Sequence, residues 1–298
     1  MPNTRDIFLV FVSLVLGFCS CSKSPFSNGF EREETRSVHG YFKVLEMNDD
    51  VDVTLIRNVT PMPDSTTKVK VIANENLMEG VTADIHGDTL TLRNTNTLNW
   101  MRPYNYTMEA TVFYDTLTTI ICNSNGKLNA SAPLIGYYST DSINDSTALD
   151  RRHLYLQIEG GSGDINLPVD CDVMHTQYNW GTSSVNLSGK VGIAFTSTTF
   201  NCHGPIDASD MEANYHYIYN YGTNKIIARA FTEVNASNYN NGIVCYIRYL
   251  TTRQETIWGH YDENHIWIPP QVIEVTHNCP KKVVYTGNPN QLDSIVWN

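Results

Sequence analysis

Between Ile165 and Tyr239 the sequence repeats itself about every 20 residues, and this period limits the possible folds more than any other feature. Ile165-Asn166-Leu167 returns as Val185-Asn186-Leu187, then as Ile206-Asp207-Ala208, then as Ile226-Ile227-Ala228. Val173, Ile193, Ala213 and Val234 form a second apolar column in the same phase. A unit this short and polar cannot bury its own apolar face, so successive units must stack on one another. The expectation is an all-β, single-domain, β-helix-like solenoid with coils of about 20 residues. Ile165, Val185, Ile206 and Ile226 should point inward as one stack, with Asn166, Asn186 and Asp207 outward. Asn166 and Asn186 then read as a hydrogen-bonded side-chain ladder.

The rest of the chain is consistent with β structure. Val51, Val53 and Leu55 alternate with Asp50, Asp52 and Thr54, and Val69 and Val71 alternate with Lys68 and Lys70. Met108, Ala110, Val112 and Tyr114 repeat the pattern, which belongs to half-buried strands. Only 17% of residues are charged, and the formal net charge is −11. An acidic chain without a basic stripe is a poor partner for nucleic acid.

The front of the chain reads as an address. Arg5 precedes an apolar run from Ile7 to Gly17. At about 11 residues that run is too short to span a bilayer, which takes about 20. Phe18-Cys19-Ser20-Cys21-Ser22 resembles a bacterial lipoprotein processing site, and small Ser20 before Cys21 makes Cys21 the expected lipid acceptor. Residues 1–20 are then a signal peptide, residues 21–36 a lipidated cysteine with its tether, and residues 37–298 the solenoid domain. Residues 136–153 are expected as an inserted polar loop. An acylated Cys21 would anchor the protein to a membrane of the bacterial cell envelope without embedding it.

Ser37-Val38-His39-Gly40-Tyr41-Phe42, leading into Asp50-Val51-Asp52-Val53-Thr54-Leu55, resembles the opening of the GIN-domain family, the putative auto-transporter adhesin head of Bacteroidota envelope proteins. Glu75-Asn76-Leu77, Gly87-Asp88-Thr89-Leu90 and Asn99-Trp100 continue the resemblance, and Lys282 to Pro289 is similar to the family's closing strand and turn. Tyr- and Asn-rich repeats partly replace the family's Gly-Ser-Gly-rich ones. The resemblance implies a β-helix-like fold and an adhesin-like or structural envelope role. It brings no catalytic residues with it.

Candidate chemistry is sparse. Beyond the signal segment and Cys21, the cysteines are Cys122, Cys171, Cys202, Cys245 and Cys279, which form no Cys-x-x-Cys pair and fit no zinc spacing. They read as buried small apolar residues. No cofactor is expected. The period puts Glu212 and Glu233 on adjacent coils, a weak calcium pair. The two reading frames for function are a non-catalytic module that binds glycan or protein, and a polysaccharide lyase or hydrolase on the same scaffold. A lyase needs acids and a basic residue converging in one cleft. For binding, the candidates are Tyr217 and Tyr219 in Asn214–Tyr221. The period aligns Tyr217 with Gln177, Ser197 and Asn238, and Tyr219 with Asn179, Thr199 and Asn240. Polar companions put both tyrosines on the solvent side as a ligand platform, with Ile218 between them facing inward.

Overall fold

The computed structural model describes residues 27–58, 66–97, 105–139, 151–257, 260–261, 263, 267–268 and 271–296. Cys21 and the expected signal peptide lie outside them. The described chain is all-β, with strands joined by turns and two single-turn 3₁₀ segments, and twenty of its strands form one sheet.

Five long strands carry the repeat. They are best placed after the shorter ones that precede them: β1 (Glu31–His39), β2 (Val44–Asp49), β3 (Asp52–Arg57), β4 (Thr66–Asn74), β5 (Val81–His86), β6 (Thr89–Asn94), β7 (Met108–Tyr114), β8 (Thr119–Ser124), β9 (Leu128–Ala130), β10 (Leu134–Ile135), β11 (Tyr137–Ser139) and β12 (Arg151–Gly160). The long strands follow as β13 (Ile165–Gly181), β14 (Val185–Cys202), β15 (Ile206–Asn220), β16 (Lys225–Asn238) and β17 (Ile243–Ile257). Each pairs in parallel with the next, and Ile165, Val185, Ile206 and Ile226 stand opposite one another in succession. All four are buried. Outside them, the Asn186 amide donates to Asn166 Oδ1 at 2.8 Å, and Asn166 donates to Asn129 at 3.0 Å, so the asparagine ladder runs one strand further back, onto β9.

Strand β13 turns a corner. Its buried residues are Ile165, Leu167, Val169, Cys171 and Val173, then Met174, Thr176 and Tyr178, so the inward parity flips between residues 173 and 174. The second apolar column expected from the sequence breaks at this corner. Val173 does pair with Ile193, but Ile193 pairs with Tyr215, and Tyr215 with Glu233. The inward column there is Met174, Ala194, His216 and Val234, which puts a histidine in the core. Register shifts explain the slip. β15 gains residues against β14 between Asn186 and Ser188, and β16 loses residues against β15 between Ala208 and Tyr215. A bulge adds a residue without a partner, so a constant step of 20 does not hold across it.

The two sides of the stack continue toward the N-terminus in an order the sequence does not follow. β2 lies between β6 and β8, and β3 lies between β7 and β9, all in parallel. The segment β2–β3 is thus inserted between two segments that come later in the chain. β5 pairs antiparallel with β6, and β4 pairs antiparallel with both β7 and β1. Residues 31–36, expected as tether, are therefore the start of an edge strand. The expected insertion at 136–153 begins and ends in an antiparallel pair, β11 with β12; residues 140–150 lie outside the described residues. After β17 come β18 (His260–Tyr261) and β19 (Trp267–Ile268), which pair with each other, and β20 (Gln271–Cys279), which folds back along β17. β21 (Lys282–Thr286) and β22 (Leu292–Val296) then close the stack on β16 and β17. Inward residues of both sides join one hydrophobic cluster. The five described cysteines are free and buried, and burial alone pushes the Cys122 thiol up to about 12.

Candidate functional site

Past the corner, the outward positions of β12 to β16 form a flat face. Tyr155, His175, Phe195 and Tyr217 stand opposite one another on four neighbouring strands. Neighbouring strands lie about 4.8 Å apart, close enough for flat rings to stack along the ladder. Ring centroids are 4.5 Å apart for Tyr155–His175, 4.9 Å for His175–Phe195 and 5.3 Å for Phe195–Tyr217, with planes within 18° of parallel. His153 and Tyr215 lie beside this ladder, Tyr215 at 6.5 Å from Tyr217. Burial first, and then the neighbouring His153, lowers the His175 pKa below its ordinary value. The ladder is thereby biased toward neutrality.

Both candidate tyrosines point outward, and Ile218 between them is buried. Their companions differ from those the period implies. Tyr217 lies against Phe195 and, on the other side, opposite Asn235, so it is half-buried and one ring face is covered. Tyr219 stands between Ser197 and Ser237. Those side chains are too short to cover a phenol ring, and Tyr219 is 44% exposed. Tyr219 is thus the better stacking surface, and Tyr217 is a member of the ladder.

The period hides a second aromatic row. Trp180, Phe200, Tyr221 and Tyr239 fall at or just past the ends of β13, β14, β15 and β16, at intervals close to 20, although a register shift sets Trp180 opposite Asn201 and not Phe200. Trp180 and Phe200 are 62% and 65% exposed, and Tyr239 is 54% exposed. The indole lies over Gly160, where an added Cβ would come within 3.6 Å of its Cε3. Phe200 meets Tyr221 edge-on at 5.7 Å, and Tyr221 stacks on Tyr239 at 4.4 Å. Beneath the row the chain segments approach backbone to backbone. Gly181 has φ +119°, and a Cβ there would collide with the Gly161 carbonyl, so glycine is required.

Glu212 and Glu233 are not brought together. Glu212 stands opposite Lys190 and pairs with Arg229 at 3.1 Å, whereas Glu233 stands opposite Tyr215 and pairs with Lys282 at 3.0 Å. The same register shifts that moved the tyrosines separate the two acids. Acids and bases do converge elsewhere, in a groove lined by Arg152, Asp170, Asp172, Lys190, Glu212 and Arg253. Its acids are engaged. Arg152 lies 3.2 Å from Asp170 and 3.3 Å from Asp172, and its backbone N–H also donates to Asp172 at 2.7 Å. Burial would raise the Asp172 pKa, but these bonds and the Arg152 charge outweigh it and hold the carboxyl below its ordinary value. A carboxylate held ionised by arginine is unsuited to donate a proton.

The family model described as "Putative auto-transporter adhesin, head GIN domain" matches residues 41–247. Among solved structures, a putative adhesin from Bacteroides fragilis aligns with a TM-score of 0.63 at 14% identity, over 91% of this chain and 97% of that one. A putative lipid binding protein from Parabacteroides distasonis aligns with a TM-score of 0.51 at 13% identity, over 89% of this chain and 97% of that one. At these identities the likeness is one of fold. A comparison with curated proteins found no match.

Proposed function

The chain belongs to the head GIN-domain family described as putative auto-transporter adhesins, and from that premise we propose that it is a non-catalytic envelope lipoprotein that binds glycan or protein through the side of its stack. On this reading the parallel, in-register strands are a β-solenoid, used as a rigid ruler that repeats one side chain per coil. The signal peptide exports the chain, and acylated Cys21 anchors it to a membrane of the cell envelope. The observation that carries the reading is the aromatic row from Tyr155 to Tyr217 with Tyr219 beside it, 44% exposed between Ser197 and Ser237. Large aromatic surfaces left in water on a folded domain mark interaction sites. Tyr adds a hydrogen-bonding tip to a rigid apolar ring, a combination suited to sugars and to polar protein surfaces alike.

The ion-paired acids of the Arg152 groove favour this reading over a lyase or hydrolase. The test is a glycan array probed with the purified chain and with the Tyr217→Ser, Tyr219→Ser double variant. Binding should be lost in the variant while the fold persists. The Tyr217 substitution is expected to cost about 1 kcal/mol of stability, because it removes a ring stacked on Phe195. Depolymerised product from an acidic polysaccharide, abolished jointly by Glu212→Gln and Glu233→Gln, would return the case to the enzyme.

A further inference from the structure

We propose that the corner bearing Trp180, Phe200, Tyr221 and Tyr239 is a site for a neutral polysaccharide laid along the stacking direction. This rests on the glycan-binding reading above, but it moves the ligand from the flat face to its edge and names its chemical class.

Ring availability is the first argument. On the flat face, Tyr155, His175, Phe195 and Tyr217 cover one another's faces, so they offer solvent mainly their edges. A sugar stacks through its C–H face and needs an open ring face. At the corner Trp180 is 62% exposed, with Gly160, which has no side chain, beneath it. Phe200 is as exposed as Trp180.

Charge is the second. Residues 160–163, 180–184, 200–205, 221–224 and 239–242 make up the corner, and they contain no Asp, Glu, Lys or Arg. The chain has 20 basic and 31 acidic residues, so an uncharged strip across five strand ends is a local property. In place of charges the rim carries carboxamides and hydroxyls: Asn201, Thr223, Asn240 and Asn241. Those groups exchange hydrogen bonds with sugar hydroxyls at low desolvation cost. The charges that border the strip are two acids, Glu159 and Asp164, and one base, Lys225, so an acidic polysaccharide would meet no net positive charge here. An anionic lipid surface would find none either, and would meet a chain of net charge −11.

Repetition is the third. One aromatic per strand end, with neighbouring rings 5.7 Å apart for Phe200–Tyr221 and 4.4 Å for Tyr221–Tyr239, suits a ligand that itself repeats. A polymer can engage several coils at once and gain avidity from contacts that are individually weak.

The experiment is retention of the purified chain on immobilised neutral polysaccharides (a β-glucan, a mannan and a xyloglucan) beside polygalacturonate and alginate. Phosphatidylcholine vesicles and a gel-filtration series over protein concentration complete the set. The variants are Trp180→Ala with Phe200→Ala, Tyr239→Ser alone, and Tyr217→Ser with Tyr219→Ser, each checked by thermal melting. The expected result is retention on at least one neutral polymer, weakened about tenfold or more by the Trp180/Phe200 pair. Should that pair unfold the chain, Tyr239→Ser at the other end of the row should still weaken retention while the chain stays folded, with a small drop in the melt from the lost stack on Tyr221. Retention lost only in the Tyr217/Tyr219 variant would leave the flat-face reading standing and overturn this one. Binding confined to the acidic polymers, binding to vesicles alone, a dimer dissolved by the Trp180/Phe200 change, or no retention on any neutral polymer would also overturn it.

Discussion

His216 should make the protein's stability fall as the solution turns mildly acidic. Its side chain is fully buried, in register between Ala194 and Val234. Nε2 lies 2.9 Å from Thr196 Oγ1, and Nδ1 has no hydrogen-bond partner. Burial lowers its pKa from 6.5 to about 4. The sign follows directly. Above pH 6.5 the ring is neutral in both states, and its full contribution is present. Below pH 6.5 the unfolded chain takes up a proton that the folded chain refuses, so stability drops until the folded ring also titrates near pH 4. Each pH unit in that window costs about 1.4 kcal/mol, which amounts to roughly 2 to 3 kcal/mol between pH 7.5 and 4.5. The perturbation is His216→Leu, which fits an apolar column and cannot titrate. Urea unfolding of both proteins at pH 7.5, 6.5, 5.5 and 4.5 measures the effect. The lowered pKa values of His153, His175 and Asp172 act in both proteins and cancel in the difference. Wild type should lose roughly 2 to 3 kcal/mol more than the variant across the range. Parallel pH curves would show that the ring is hydrated or charged inside the fold and would refute the reasoning.

Two other outcomes are expected. Cys21→Ala should move the protein from the detergent fraction to the soluble fraction, whereas Cys19→Ala should not; a Cys21 variant that stays with membranes would end the lipoprotein reading. Ile206→Asp places an unpaired carboxylate in the core and should cost several kcal/mol, on the order of 4. Asp207→Ser, one residue along on the outside, should be nearly neutral, and equal shifts in melting temperature would show that Ile206 does not point inward.

What the sequence determined by itself was whatever burial forces to repeat. An inward position must be apolar on every coil, so Ile165, Val185, Ile206 and Ile226 announce their stack, and Asn166 and Asn186 announce the ladder outside it. The corner row could be read the same way, since Trp180, Phe200, Tyr221 and Tyr239 keep nearly the same step, although their exposure could not. Tertiary structure decided the rest. A bulge shifts every later partner without changing the pattern of side chains that a reader sees. This is why Tyr217 meets Phe195 and not Ser197, and why Glu212 and Glu233 part. A corner flips the inward parity, which carries His216 into the core between Ala194 and Val234, where the column expected from the sequence had Ala213. The N-terminal half leaves no period at all, because β2 pairs with β6 and β8, strands about 45 and 75 residues away in the chain. Hydrogen-bonded backbones pair wherever the folded chain sets them side by side, and only consecutive coils leave that adjacency as a rhythm in the sequence.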